Sequence, residues 1–312
     1  MDVSVIIPIF NEEKNIESLH QRLEKVLDDT GLSYEVLFID DGSQDGSWDE
    51  MLKVHQANNR FKIIKFRRNF GQTPAMSAGF DYSKGEIVVT LDADLQNEPE
   101  DIPKLVEEMN KGYDVVSGWR KDRKENYLTR RFPSMIANRL ISFLTGVRLH
   151  DFGCTLKAYR KEVVKNTKVY GEMHRYIPAL ASWMGINVSE VVVNHNPRKH
   201  GKSKYGLNRI FKVFLDIITL KFLLSFSTKP IQIFGLLGII VVALGGILTL
   251  VLIIQRIFFL ISLGNRPLFI LAIFMVFIGI QFITFGLLAE LNIRIYHESQ
   301  QKPTYFIREI KG

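Results

Sequence analysis

A chain of 312 residues, 46% of them hydrophobic and with a formal net charge of +7, is long enough for one large domain or two small ones. Its single cysteine, Cys154, excludes an intramolecular disulfide. The charge is concentrated: residues 196–229 hold eight Lys/Arg against Asp216 alone, an excess equal to that of the whole chain, and a basic segment directly ahead of an apolar run points to anionic lipid head groups and away from nucleic acid.

Met1-Asp2-Val3-Ser4 has no basic leader, which predicts an N-terminal domain that stays in the cytosol. Val3 to Phe10 reads as a buried strand, followed by Asn11-Glu12-Glu13 and a helix to about Asp29, with Ile16, Leu19, Leu23, Val26 and Leu27 at helical spacing. Tyr34 to Ile39 predicts a second strand ending in Asp40-Asp41-Gly42-Ser43. Strand, helix, strand with acids at the strand ends is half of a doubly wound sheet. The first turn lacks the G-x-G-x-x-G that a dinucleotide pyrophosphate needs, which disfavours a classical NAD-binding domain. Gly201-Lys202-Ser203 is not a P-loop, because the motif's first glycine falls on Asn196.

Phe61 to Phe66 predicts a third strand, and Asn69-Phe70-Gly71 leads into a helix from about Pro74 to Ser83. The run Glu86 to Leu91 is a short β-branched strand that delivers Asp92, Asp94 and Gln96 at its carboxyl end. Ligands of open α/β sheets sit there, and these oxygen donors suit Mg²⁺ or Mn²⁺; taken alone, the Asp-x-Asp reads as well as acidic caps for the helix near Pro99. A helix from Glu100 to Lys111, with Pro103 in its first turn, and a strand from Tyr113 to Gly118 follow.

Val3 to Glu13, Asp40 to Ser43, Asn69-Phe70-Gly71 and Leu91 to Gln96 together resemble an inverting glycosyltransferase of family two. Adding Ser117 to Arg120, Asp151-Phe152-Gly153-Cys154 and Gly201 to Tyr205 narrows the resemblance to the polyprenyl-phosphate glycosyltransferases, a group with dolichyl-phosphate mannose synthases, bactoprenol glucosyltransferases and undecaprenyl-phosphate aminoarabinose transferases. It extends from residue 3 to about residue 290. The resemblance implies an α/β domain of the GT-A nucleotide-sugar type with a mostly parallel sheet. It also implies transfer of a sugar, most simply from a UDP-linked donor such as UDP-glucose, to undecaprenyl or another polyprenyl phosphate.

By the same resemblance Pro8, Asn11 and Glu12 line the nucleotide pocket, Asp41 accepts a hydrogen bond from the base, and Asp92 holds the ribose or the metal. Asp94 and Gln96 bind the metal that bridges the diphosphate, which makes Asp94 a catalytic candidate. Asp41 also reads as a turn-forming residue ahead of Gly42, and Asp40 as a cap of that turn. A lipid phosphate is largely dianionic at neutral pH and needs no strong base. Asp151 stands where related enzymes acting on hydroxyls carry a catalytic aspartate, or equally serves as a structural partner of a nearby Lys or Arg. For the acceptor phosphate the expected cluster is Arg120, Arg130, Ser134, Arg198 and Lys204, with Arg130-x-x-x-Ser134 at the family's spacing.

Gly206 to Phe226 predicts an interfacial helix with a polar stripe of Arg209, Lys212, Asp216 and Thr219, the alternative being a buried bundle helix. Ile231 to Ile254 and Pro267 to Ala289 contain no charged side chain. As a helix the first rises ~36 Å, enough to cross a hydrocarbon core of about 30 Å. The expected organisation is a catalytic domain over 1–195, a basic loop and interfacial helix over 196–229, two spans over 230–291 and a cytosolic tail over 292–312, in a bacterial inner membrane with both termini cytosolic; homo-oligomers would pack through spans and tail. A processive polysaccharide synthase is the first rival, yet those carry Gln-x-x-Arg-Trp and here no arginine precedes Trp48, Trp119 or Trp183. The second is a catalytically silent membrane scaffold, against which Asp92, Asp94 and Gln96 argue.

Overall fold

The computed structural model describes residues 1–121, 132–167, 173–197, 230–259, 266–299 and 305–312. They divide into two compact units, one of residues 1–220 with 303–312 and one of residues 221–302.

The first unit is built on β-branched runs with little polar alternation, the pattern of strands covered on both faces. Strands β1 (Val3–Ile9), β2 (Tyr34–Asp40), β3 (Phe61–Phe66), β4 (Ile87–Thr90), β5 (Val115–Trp119), β6 (Lys157–Arg160), β7 (Val188–Val192) and β8 (Ile307–Lys311) form one sheet in the order β7-β5-β6-β4-β1-β2-β3-β8. The β3-β2-β1-β4 segment is parallel, as is β5 with β7, whereas β6 runs antiparallel between β4 and β5. Helices α1 (Glu13–Asp29), α2 (Ser47–Ala57) and α4 (Ile102–Asn110) lie together on one face; α3 (Gln72–Tyr82) covers β1 and β2 on the other. The period of two along β1 sends Val3, Val5, Ile7 and Ile9 into the core under α1, while Ile6 meets α3 so closely that a Cβ on Gly79 would overlap it.

Two helix starts near the strand ends differ from those the sequence predicts. Helix α3 begins at Gln72, with Pro74 still in its first turn, where a missing N–H costs little, and a 3₁₀ turn over Pro99–Asp101 precedes α4. A larger difference concerns the expected tail over 292–312: the second apolar helix runs on to Ser299. Residues 307–311, expected within a separate segment after 292, pair antiparallel with β3 and extend the sheet. The basic loop from Arg198 onward and the expected interfacial helix lie outside the described residues.

The second unit is a pair of helices, Pro230–Phe259 and Pro267–Ser299. Stretches Phe234–Phe258 and Pro267–Ala289 are long and apolar enough to cross a membrane. The helices meet through small residues: a Cβ on Gly238 would lie 2.6 Å from the Gly279 carbonyl oxygen, and one on Gly245 would lie 2.9 Å from that of Ala272. These two contacts are one heptad apart on each helix, the close-approach pattern of membrane helix pairs. Large side chains such as Leu236, Ile257 and Ile270 are more than 60% exposed, so the buried-core reading of these helices is not met within the unit.

Candidate active site

Strand order reverses at β1, with β2 on one side and β4 on the other, so the crevice beyond their carboxyl ends is the topological switch point where α/β sheets bind ligands. Pro8 is the penultimate β1 residue, paired with Ile39. Asn11 takes a left-handed backbone, φ 56°, which asparagine tolerates, and this turns the chain toward the β2 loop. There its N–H donates to Ser43 Oγ at 3.0 Å and its Oδ1 accepts from the Gln44 N–H at 2.8 Å. The Glu12 N–H donates to Ser47 Oγ, and its carboxylate accepts from Asn15 Nδ2 at 2.6 Å. Asp40 caps its own turn by accepting the Ser43 N–H.

Asp41 is buried and its carboxylate closes the β3–α3 turn: Oδ1 accepts the Phe70 N–H at 2.7 Å and Oδ2 the Gly71 N–H at 2.9 Å. A carboxylate has about four acceptor positions, so holding this turn and receiving a ring N–H are compatible. The turn passes so near Gly42 that a Cβ there would sit 2.5 Å from the Arg68 carbonyl carbon; the φ of 72° adds a second reason for glycine.

After β4, Ala93 and Leu95 anchor in the core, which gives the alternate residues Asp92, Asp94 and Gln96 a separate environment. Leu95 has φ 58°, uncommon for a branched side chain and typical of backbone held strained at functional sites. Asp92 accepts a hydrogen bond from Gln72 Nε2 at 2.7 Å. Burial, then the neighbouring Asp94 charge, push the Asp92 carboxyl up to about 6. Asp94 accepts the Gln96 N–H at 3.1 Å. Gln96 is tied to the segment after β7: its carbonyl accepts the Asn196 N–H at 2.8 Å, and its Nε2 faces the Asn196 carbonyl at 3.5 Å. Among the described residues no group of three or more His, Cys, Asp or Glu converges on one point.

Arg120 and Asp151, expected in separate roles, are joined. Arg120 Nε donates to Asp151 Oδ2 at 2.8 Å and Nη2 to Oδ1 at 3.1 Å, a bidentate pair with both side chains largely withdrawn from solvent. Glu190 holds the loop before it, accepting the His150 and Asp151 N–H groups, and Trp119 stacks on His150 at 4.2 Å. Of the other acceptor candidates, Ser134 falls in the helix Phe132–Thr145 (α5), while Arg130, Arg198 and Lys204 lie outside the described residues.

Three residues that support these segments were not singled out from the sequence. Gln72 is one. Lys157 is fully buried and donates to the Phe152 carbonyl at 2.9 Å and to the Cys154 carbonyl, so it cross-braces the Asp151–Cys154 turn; burial pushes its ammonium down to about 8. His174, kept neutral by burial, shares a 2.6 Å hydrogen bond with Thr73. A lysine between Leu156 and Ala158-Tyr159 in an apolar strand was the one visible signal.

A family model described as "Glycosyl transferase family 2" matches residues 4–167. The chain is 38% identical over 99% of its length, and 93% of the other's, to a dodecaprenyl-phosphate galacturonate synthase of Rhizobium johnstonii. It is 38% identical, over 99% of its length and 94% of the other's, to an undecaprenyl-phosphate 4-deoxy-4-formamido-L-arabinose transferase of Edwardsiella ictaluri. Among solved structures it is similar in fold to a glucosyl-3-phosphoglycerate synthase of Mycobacterium tuberculosis held with Mn²⁺, uridine diphosphate and glucosyl-3-phosphoglycerate; the TM-score is 0.53 at 20% identity, covering 71% of this chain and 78% of that one.

Proposed function

We propose, for a chain that belongs to glycosyl transferase family 2, that it moves a sugar from a nucleoside diphosphate to a polyprenyl phosphate at the cytosolic face of a bacterial inner membrane, inverting the anomeric carbon. The observation that carries this reading is the placement of Asp41 just past β2 and of Asp92 and Asp94 just past β4, at the carboxyl ends of the two strands that flank β1.

In this reading Pro8, Asn11 and Glu12 line the base and ribose, and Asp41 receives a ring N–H while it holds the Phe70–Gly71 turn. Asp92 and Asp94 fit a divalent cation, because two crowded carboxylates, one already pushed up to about 6, are relieved by positive charge. Mg²⁺ and Mn²⁺ commonly take one or two protein carboxylates and complete their shell with substrate phosphates, which suits two acids and the Gln96 amide. The ion, when bound, neutralises charge on the departing diphosphate. Gln72 orients Asp92, and Asp151 fixes the guanidinium of Arg120, so that Arg120 with Arg130, Ser134, Arg198 and Lys204 receives the acceptor phosphate. Asn196, two residues before Arg198 in the chain, is itself hydrogen-bonded to Gln96.

UDP is the proposed nucleotide, in keeping with the uridine diphosphate in the structural neighbour. The relatives' names cite galacturonate and 4-deoxy-4-formamido-L-arabinose, so the test is a panel of labelled UDP-glucose, UDP-galacturonate and UDP-formamidoarabinose with undecaprenyl phosphate in detergent. One sugar per lipid is expected. A long polymer would favour the processive synthase, and no turnover of any nucleotide sugar would favour the silent scaffold.

A further inference from the structure

Strand β8 follows the apolar helices in the chain, yet its entry lies against the turn that closes on Asp41. The Phe306 carbonyl accepts the Arg67 N–H at 3.0 Å, and its ring meets Phe70 at 6.1 Å with planes inclined by 44°. Tyr305 stacks on Phe66 at 5.2 Å, with planes 11° apart, and Phe66 stands edge-on to Phe70 at 5.8 Å. The Tyr305 hydroxyl donates to Asp81 Oδ2 at 2.8 Å, which pins the ring against the end of α3. Phe70 is the residue whose N–H reaches Asp41 Oδ1. On its other side the turn lies against Gly42, where a Cβ would come within 2.5 Å of the Arg68 carbonyl carbon and 2.6 Å of the Asn69 nitrogen.

We propose that Tyr305 and Phe306 are positioning residues for the nucleotide: they hold Phe66 and Phe70 so that the Arg68–Gly71 turn stays closed on Asp41. The inference rests on the reading of Asp41 as the base-binding carboxylate. Its consequence is that UDP affinity depends on a segment more than 200 residues away in the chain, the one through which the chain re-enters the sheet after the apolar helices. Neither side chain need touch the nucleotide. Each acts through an aromatic contact, and such contacts are strongly sensitive to ring geometry.

The test is calorimetric titration of UDP with Mn²⁺ into the full-length protein in detergent, alongside transfer kinetics with donor and acceptor varied separately. Tyr305→Ala with Phe306→Ala should weaken UDP binding about tenfold and raise donor KM in step, with acceptor KM unchanged. Tyr305→Phe with Phe306→Tyr, which keeps both rings, should restore affinity to within about twofold. Ile310→Ala, in the strand that follows these two residues but away from the turn, should leave UDP affinity at the wild-type level. UDP affinity unchanged in the alanine pair, an equal loss in Ile310→Ala, or loss of the alanine pair's cooperative melting transition would each overturn the proposal, the last two because the strand would then act only on stability. A wild-type protein that binds neither UDP nor GDP would instead bring down the base-site reading, and this inference with it.

Discussion

At Asp92 a carboxyl is held where both burial and the Asp94 charge oppose its ionisation, which gives the proposed metal site an expected pH dependence. A carboxyl whose folded-state pKa lies above its unfolded value stabilises the fold below the unfolded pKa and loses that contribution as pH rises through the folded one. For Asp92 the window runs from the ordinary 3.8 up to about 6. Metal binding works the other way, since it requires the ionised form. Mn²⁺-dependent UDP affinity should therefore fall as pH drops from about 7 to about 5, and calorimetry across that range should show the fall in the wild type but a flatter, weaker profile in Asp92→Asn. The acceptor side makes a different prediction. Charge-assisted bonds to a bound phosphate outweigh generic head-group contacts, so Arg130→Ala and Lys204→Ala should each raise acceptor KM or lower kcat by at least roughly tenfold with UDP affinity nearly unchanged. A variant that loses UDP binding while keeping its acceptor dependence would place that residue in the donor pocket.

At the scale of elements, the strands that flank the switch point were legible because buried parallel strands announce themselves as β-branched runs, and their acids fall at the ends where the chain leaves the sheet. What stayed hidden depends on partners far apart in sequence. Thr73 meets His174 across 101 positions, and neither residue carries a pattern of its own. Strand β8 is short and polar, and a register shift between Lys65 and Phe66 in its partner breaks the alternation that would have marked it. For Asp151 both a catalytic and a structural reading were open in sequence; the structure pairs it with Arg120. The apolar helices yield a prediction of their own. Gly238→Leu should disrupt the helix pair, because its side chain would enter the Gly279 backbone, whereas Gly246→Leu, which meets nothing within 4 Å, should be tolerated. Thermal melting in detergent should show a lower Tm for the first and little change for the second.

At the scale of the whole molecule, the β3–β8 ladder ties residues 307–311 to the same sheet as residues 61–66. If the two apolar helices cross the bilayer, the chain must cross an even number of times to make that ladder, and Arg294, Lys302, Arg308 and Lys311 suit the cytosolic side. A reporter fused after Gly312 should thus be active only in the cytosol; activity confined to the other side of the membrane would contradict this topology. The most direct measurement is a single-turnover assay with labelled UDP-sugar, undecaprenyl phosphate and Mn²⁺, run on the wild type, on Asp94→Asn, and on the wild type in EDTA. The wild type should form a lipid-linked sugar, Asp94→Asn should lose most of that product, and EDTA should abolish it until Mg²⁺ or Mn²⁺ is restored. Undiminished product in Asp94→Asn or in EDTA would contradict the placement of the transfer at the Asp92–Asp94 site.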